Sequence, residues 1–164
     1  MYLSKIRNYI PMLKIRYAIR SDIPFILQGI REVCKIEMEK PDKKPKLIRL
    51  INKAMKKKEI RVVTQDGKTA GFVQFQFTRK SPYGIEYGDY GKSFCWIDWM
   101  YVAKKFRRSG IGNALHNEIR RICKNRRVSE IMLDVFHVNE SARKFYTKEG
   151  FSEFIHILKE KIRQ

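Results

Sequence analysis

The sequence has few of the residues that build disulfide-stabilised, metal-binding or membrane-spanning proteins. Its three cysteines, Cys34, Cys95 and Cys123, lie far apart, so they form neither a disulfide framework nor the closely spaced pairs of a zinc site. The three histidines are equally scattered, and no metal site is expected. No apolar run approaches the roughly 20 residues that cross a bilayer, and residues 1–12 lack the apolar core of a signal peptide. These absences predict a cytoplasmic protein with reduced thiols and no membrane partner.

Acidic residues are also scarce. The chain has 17 aspartates and glutamates against 36 lysines and arginines, for a net charge of +19. Such a charge predicts an anionic partner, either nucleic acid or an acidic protein, and raises the hypothesis of a basic binding module. Because the positive charges are spread along the chain, a lysine-rich source composition is an equally good explanation. Homodimerisation is a further partner hypothesis that the sequence leaves open.

What the chain does contain is enough apolar material for a core. Hydrophobic residues make up 43% and aromatic residues 12% of the 164 positions, which predicts a packed globule and not a disordered chain. This length suits one domain. We expect residues 1–12 to be an N-terminal extension and residues 13–164 to form a single domain.

The periodicity of apolar residues predicts the secondary structure. The predicted strands cover residues 14–19, 60–65, 69–78, 93–102, 131–136 and 151–159. Ser21 and Asp22 are candidate helix caps, and the predicted helices cover residues 23–40, 45–58, 110–125 and 139–148. Asp66 and Gly67 predict a hairpin turn, and residues 79–92 a loop. This order predicts an α/β fold, with one mixed sheet covered by helices.

A basic turn and two glycines follow the apolar strand that ends near Val102. The stretch reads Val102-Ala103-Lys104-Lys105-Phe106-Arg107-Arg108-Ser109-Gly110-Ile111-Gly112-Asn113. The first turn of a helix has N–H groups without intrahelical partners and a positive dipole end, so it attracts anions. Glycine lets a phosphate approach the backbone, and arginine adds charged donors. A glycine-rich turn with incidental arginines explains the residues equally well, since the spacing matches neither a Walker loop nor a dinucleotide fingerprint.

Two motifs in this order resemble the GNAT superfamily of acetyltransferases. Arg107-x-x-Gly110-x-Gly112 resembles the R/Q-x-x-G-x-G/A signature that binds the CoA pyrophosphate. Downstream, Leu133-x-Val135-x-x-x-Asn139-x-x-Ala142-x-x-Phe145-Tyr146-x-x-x-Gly150-Phe151 resembles the fifth strand and following helix of the family, and Ile15-Arg16-x-Ala18 with Asp22 resembles its first strand and helix cap. The resemblance covers roughly residues 14–159. It implies an α+β fold whose sheet is mixed but mostly antiparallel, with a splayed central strand pair and about four helices.

The resemblance also implies an activity, an N-acetyltransferase that passes the acetyl group of acetyl-CoA to a primary amine in a ternary complex. Tyr146 would be the general acid for the CoA thiolate, although packing against the core is an alternative role. Asp98 would be the base, because a carboxylate in an apolar strand is costly to bury; its shortness relative to the glutamate of many relatives favours action through water, and an ion pair is the alternative. Asn139 would hydrogen-bond the pantetheine arm or cap its helix. The other residues implied to contact acetyl-CoA are Met100, Tyr101, Val102, Arg107, Arg108, Ser109, Gly110, Ile111, Gly112, Asn113 and Ala142.

The acceptor is predicted from local acid in a basic chain. Glu86 and Asp89 lie in a tyrosine-rich loop that leads into the strand of Asp98, and we expect them to bind a cationic amine by charge and cation–π contact. A solvated loop is the alternative. After Phe151 there is one strand-like run and no clear hairpin, unlike family members that acetylate protein N-termini. This difference favours a small amine, a polyamine or a lysine side chain, with N-terminal acetylation as the alternative.

Overall fold

A computed structural model describes residues 12–84 and 92–160 of the chain. The chain divides into two compact units, of which the first extends to Asp134 and the second begins at Val135. The first unit contains a β-sheet and three helices, and the second contains a fourth helix. Of the predicted N-terminal extension, only Met12 lies within the described residues.

Within the described residues, five strands form one mixed sheet in the order β1-β2-β3-β4-β5. Their bounds are β1 Leu13–Tyr17, β2 Ile60–Gln65, β3 Lys68–Thr78, β4 Phe94–Val102 and β5 Ile131–Met132. The first three pairings are antiparallel, and β4 pairs with β5 in parallel. The predicted hairpin turn is present between β2 and β3, where Asp66 and Gly67 have φ values of 51° and 78°. A mixed, mostly antiparallel sheet is confirmed.

The described residues contain four α-helices, and three of them pack on the sheet within the first unit. Their bounds are α1 Ile23–Ile36, α2 Lys44–Lys56, α3 Ile111–Asn125 and α4 Glu140–Lys148. Along β3, Phe72 belongs to a core with α1 and α2, whereas Val73 belongs to a second core with α3. Alternate residues of a strand point to opposite faces, so α1 and α2 cover one face of the sheet and α3 covers the other. None of the helices described is long and apolar enough to cross a membrane.

Two of the strand predictions are wrong, because one strand is shorter than predicted and the other is absent. The strand predicted over residues 131–136 is limited to Ile131–Met132, and residues 151–160 contain no strand. Alternation predicts a strand only where a neighbour completes its hydrogen bonds and one face is buried. In the second segment the apolar side chains beyond Phe151 are exposed, with Phe154 67% and Leu158 92% accessible.

The predicted helix cap at Asp22 has a different role in the structure. Asp22 occupies the cap position of α1 but makes no side-chain cap hydrogen bond. Its carboxylate accepts hydrogen bonds from Arg16 at 2.6 and 2.9 Å and from the Ile19 amide at 2.8 Å. Burial raises the pKa of Asp22, but these hydrogen bonds lower it below its ordinary value. The residue therefore joins β1 to the start of α1.

Candidate active site

Asp98 is the extra residue of a β-bulge in β4. On β3, Gln74 lies opposite Trp99, and the next residue, Phe75, lies opposite Ile97. Asp98 therefore has no partner of its own across the ladder. Bulges disrupt pairing locally, re-aim side chains and are frequent next to active sites.

The same point in β4 is where the fifth strand leaves it. Pairing between β4 and β5 is limited to Cys95 with Ile131 and Trp96 with Met132. Between residues 97 and 102, β4 has a strand neighbour only on its β3 side among the residues that the structure describes. This is the splayed strand pair implied by the resemblance, and it leaves one edge of β4 available to an extended ligand.

The Asp98 carboxylate is half-buried and accepts a hydrogen bond from a glutamine side chain of β3. Gln76 donates from Nε2 to Asp98 Oδ1 at 2.7 Å. Burial raises the pKa of Asp98 to about 6, although hydrogen bonds from Gln76 and Gln74 lower it; the charges of Glu59 and Asp134 raise it further. The alternative prediction, an ion pair with lysine or arginine, has no support within residues 12–84 and 92–160, where no cation lies in salt-bridge distance of Asp98. The Asp98 carboxylate is therefore ionised at neutral pH and becomes protonated as the pH falls through about 6.

Sequence analysis missed the two glutamines. Phe72, Gln74 and Gln76 alternate along β3 and share the face that α1 and α2 cover. Phe72 is fully buried, whereas both glutamines are half-buried. The signal that could have found them is a pair of amides at alternate positions of an otherwise apolar strand, β3, which pairs with the strand that contains Asp98.

The loop after β4 has the features of an anion site at the N-terminus of α3. Gly110 occupies the cap position with φ 83°, makes no side-chain cap hydrogen bond, and the first turn contains no acidic residue. Space around its Cα is open, since an added Cβ would meet no atom within 4 Å. Arg107 donates from Nε to the Val102 carbonyl at 3.0 Å, and the Ser109 hydroxyl donates to the Phe106 carbonyl at 2.6 Å. These bonds hold the loop in place, and Arg107 and Arg108 are exposed beside the helix terminus.

Not every predicted contact residue presents its side chain to such a ligand. The side chain of Ile111 is buried in the second core, so only its backbone is available. Met100 and Val102 are half-buried next to that core. Gly112 is half-buried and Asn113 exposed in the first turn of α3.

The side chain of Tyr101 packs in the first core, with α1 and α2, on the face of the sheet opposite to α3. Its hydroxyl donates to Glu32 Oε2 on α1 at 2.7 Å, and its ring contacts Phe25 and Phe72. Burial and the neighbouring Glu32 raise the pKa of Tyr101 to about 12. We therefore limit the predicted role of Tyr101 in ligand binding to its backbone.

In the second unit, Asn139 is the N-cap of α4. Its buried side chain accepts a hydrogen bond from the Ala142 amide at 3.3 Å. Tyr146 is half-buried, and its ring lies edge-on to Phe145 and Phe151, with centroids 5.2 and 5.3 Å away. The capping and packing roles weighed for these residues are thus present, and their roles toward CoA stay predictions.

The two residues predicted to bind the acceptor, Glu86 and Asp89, lie outside the described residues. The described part of their loop ends at Gly84 and resumes at Lys92. Just before this gap, the Tyr83 hydroxyl donates to Asp134 Oδ2 at 2.6 Å. This bond ties the start of the loop to the residues that follow β5.

Comparison with known proteins identifies the family. Residues 27–151 match the acetyltransferase (GNAT) family. No protein of curated function matches the chain in sequence. Several solved structures share the fold at low identity.

A transcriptional regulator from Bacillus halodurans C-125 has a TM-score of 0.72 and 22% identity, over 92% of this chain and 100% of that one. A predicted acetyltransferase with acetyl-CoA from Clostridium acetobutylicum has a TM-score of 0.66 and 17% identity, over 92% and 96%. An aminoglycoside 6'-N-acetyltransferase from Acinetobacter baumannii has a TM-score of 0.70 and 15% identity, over 93% and 99%. Because the family match covers most of the chain, the protein belongs to the acetyltransferase (GNAT) family, whose acyl donor is acetyl-CoA.

Proposed function

We propose that this protein transfers the acetyl group of acetyl-CoA to a primary amine, by direct attack in a ternary complex. The acceptors we favour are a small amine, a polyamine or a lysine side chain. The observation that carries the proposal is the position of Asp98, a half-buried carboxylate at the bulge where β4 parts from β5. A base at this point lies next to the open edge of β4, where the pantetheine arm would bind.

The residues around α3 fit the acyl donor. A cap position without a side-chain acceptor, a glycine with open space and two exposed arginines suit a pyrophosphate. We assign the pyrophosphate to Arg107, Arg108 and the backbone of Ser109–Asn113. The backbone of β4 at Met100 and Val102 would pair with the pantetheine arm, and an amide N–H there would stabilise the oxyanion.

The reaction removes two protons from the acceptor nitrogen and supplies one to the sulfur of CoA. The acceptor arrives as an ammonium with a pKa near 10.4 and must lose a proton before its nitrogen can attack. Asp98, directly or through a water, takes that proton; the nitrogen forms a bond to the acetyl carbon and the carbon–sulfur bond breaks. Tyr146 gives a proton to the departing thiolate, since a phenol and a thiol have ordinary pKa values of about 10 and 8.5. The nitrogen loses its second proton as the amide forms, and that proton replaces the one given by Tyr146. The products are the acetylated amine, CoA and the one proton that Asp98 releases to solvent.

Calorimetric titration with acetyl-CoA tests the donor site first. We expect wild-type protein to bind one acetyl-CoA per chain and Arg107→Glu to bind at least tenfold more weakly, because it reverses a charge beside the pyrophosphate. Arg49→Glu is the control, since Arg49 is exposed on α2 and undergoes the same charge change. A wild-type protein that does not bind acetyl-CoA would contradict the proposal. It would favour the hypothesis of a nucleic-acid-binding module, which the net charge of +19 raises.

A thiol-release assay over a panel of amines then tests the transfer. The panel includes polyamines and lysine peptides. It also includes aminoglycosides, because a structure with the same fold is an aminoglycoside 6'-N-acetyltransferase. Release of CoA that depends on one class of amine, with acetylation of that amine seen by mass spectrometry, supports the proposal and names the acceptor class.

A further inference from the structure

A groove of about 500 Å³ lies between α1 and α2, within the first unit. We infer that this groove binds a small amphipathic anion, an acid group on an apolar body, at a site separate from the one proposed for acetyl-CoA. None of the residues that line the groove belongs to the motifs that resemble the family or to the residues assigned to acetyl-CoA. The inference therefore goes beyond the proposed acetyl transfer and does not depend on it.

The apolar part of the groove consists of Ile23, Pro24 and Leu27 of α1 and Ile48 of α2. Leu27 belongs to the first core, and Ile23 and Ile48 pack against it while they keep part of their surface exposed. Small-molecule sites are concave, mostly apolar and roughly 300–1,000 Å³ in volume, a range that includes this groove. An α-helix with its side chains is about 10–12 Å across and rises about 5.4 Å per turn, so little more than one turn would fill the groove. The size therefore favours a small molecule over a docked helix.

Three basic side chains line the same groove and are available to a ligand. Arg31 and Lys35 of α1 and Lys44 of α2 are all exposed. Among the residues that the structure describes, none of the three side chains has a hydrogen-bond or ion-pair partner. A cation elsewhere on α2 does have one, since Lys46 pairs with Asp42 at 2.8 Å. Cations around an apolar groove match a ligand that has an acid group and an apolar body.

One carboxylate, that of Glu32, also lines the groove, and it does not reverse the charge. Its Oε1 accepts a hydrogen bond from Gln28 Nε2 at 2.9 Å, and its Oε2 accepts one from the Tyr101 hydroxyl at 2.7 Å. The bond from Tyr101, followed by that from Gln28, lowers the pKa of Glu32 below its ordinary value. The groove thus has three cations against one carboxylate whose two oxygens already accept hydrogen bonds. This excess favours an anionic ligand over a cationic amine.

Calorimetric titration of the full chain with medium-chain fatty acids tests the inference. Acetyl-CoA is kept in excess, so that the proposed donor site is occupied. We expect decanoate to bind at one site per chain with a Kd below about 1 mM. Octanoate should bind at least about threefold more weakly, because two fewer methylenes are buried. Octan-1-ol should bind more weakly than octanoate by at least a further factor of about three, because it lacks the charge.

Charge reversal at the groove tests where the anion binds. The double variant Arg31→Glu/Lys35→Glu should bind decanoate at least about tenfold more weakly than wild type. Arg49→Glu/Lys53→Glu is the control, since both residues are exposed on α2, lie outside the groove lining and undergo the same charge change. The control should bind decanoate within about twofold of wild type. Because the two variants have equal net charge, general attraction of an anion to a chain of net charge +19 cannot account for a difference between them.

Backbone amide chemical shifts of the wild type locate the site without a variant, and they decide the matter if Arg31→Glu/Lys35→Glu is unfolded by circular dichroism. Decanoate should cause its largest shifts in α1 and α2, and Arg107→Glu should keep wild-type affinity for decanoate.

Three results would each overturn the inference. They are equal decanoate affinity in the two double variants, equal affinity of the wild type for octanoate and octan-1-ol, and largest shifts at the start of α3. The last result, with decanoate binding lost in Arg107→Glu, would place the fatty acid in the proposed donor site. Acetyl transfer is judged by the acetyl-CoA and amine assays alone, so failure of one proposal leaves the other standing.

Discussion

Gln76 donates its side-chain amide to the Asp98 carboxylate at 2.7 Å, across the β3–β4 pair and beside the bulge. This bond fixes the orientation of the carboxylate and leaves its second oxygen, Oδ2, for another donor. Burial outweighs the bond and raises the pKa of Asp98 to about 6, with Glu59 and Asp134 contributing in the same direction. We therefore expect log kcat/KM of the wild type to rise with pH up to about 6, as Asp98 ionises. Above pH 6 the ionisation of Asp98 should cause no further rise.

Asp98→Asn removes the base but keeps an oxygen for Gln76. General-base catalysis contributes roughly 10²–10⁴-fold, so kcat/KM should fall by a factor in that range at pH 8. The limb near pH 6 should disappear from the pH–rate profile, while acetyl-CoA affinity should be retained. A variant that keeps the wild-type rate and the same limb would show that Asp98 is not the base.

The same substitution should make the protein more stable at neutral pH. The pKa of Asp98 is about 6 in the folded protein against an ordinary 3.8, so between these pH values the native state binds more protons than the unfolded state. Stability therefore falls as pH rises through that window, by roughly 2–3 kcal/mol in total. Urea unfolding should show Asp98→Asn to be more stable than wild type by up to this amount at pH 8, and the gain should vanish below pH 4.

Asp22→Asn provides a comparison of opposite sign. Hydrogen bonds from Arg16 and the Ile19 amide lower the pKa of Asp22 despite its burial, so its ionised form stabilises the fold. This contribution is present above the ordinary pKa of the group and is lost as pH falls through the lowered value. Asp22→Asn should be less stable than wild type at pH 8, and the deficit should shrink in acid. If Asp98→Asn also lost stability at pH 8, the burial argument for Asp98 would fail; if Asp22→Asn gained stability, the argument for Asp22 would fail.

The order of elements and the two motifs that resemble the family could be predicted from sequence because they depend on local patterns. Asp66 and Gly67 predicted a hairpin turn since both positions need positive φ, and the helices carried apolar stripes. The strand predicted over residues 151–159 was wrong because its alternation is not matched by burial. Whether an alternating segment gains a hydrogen-bonded neighbour depends on contacts that are distant in sequence.

In the candidate site, too, local patterns could be predicted from sequence and contacts between distant residues could not. Asp98 stood out as a carboxylate in an apolar strand; the structure half-buries it, and its role as the base stays a prediction. The bulge at Asp98 could not be predicted, because it is a property of the register between β3 and β4. Gln74 and Gln76 were missed for the same reason: an amide on a strand has no signal of its own until its cross-strand neighbour is known. Glu86 and Asp89 were predicted from their charge and from their place in a tyrosine-rich loop; they lie outside the described residues, and their role stays a prediction.

Gly29→Ala tests how closely α1 approaches the sheet. Alanine in the middle of a helix is ordinarily favoured over glycine by about 1 kcal/mol. At Gly29, however, the new Cβ would lie 2.6 Å from ring atoms of both Phe72 and Tyr101, and overpacking a core typically costs about 1–3 kcal/mol. The clash should win, so we expect urea unfolding to show a net loss of stability. A gain would mean that the two rings move aside freely.

Gly110 allows the backbone strain of the loop to be separated from ligand binding. Gly110 and Gly67 have φ values of 83° and 78°, and a Cβ added to either would meet no atom within 4 Å. Alanine at either position should therefore cost a similar 1–2 kcal/mol through the left-handed conformation alone. Gly67 lies in the β2–β3 hairpin, whereas Gly110 is the cap of α3.

Only Gly110→Ala should weaken acetyl-CoA binding, because only there would the methyl group occupy the space through which a phosphate approaches the first-turn amides. Calorimetry on the two variants at a temperature where both are folded makes the comparison. Equal losses of affinity in both would attribute the effect to general destabilisation. Unchanged affinity in Gly110→Ala, with the expected loss of stability, would place the pyrophosphate away from the start of α3 and leave Arg107 and Arg108 as incidental surface charges.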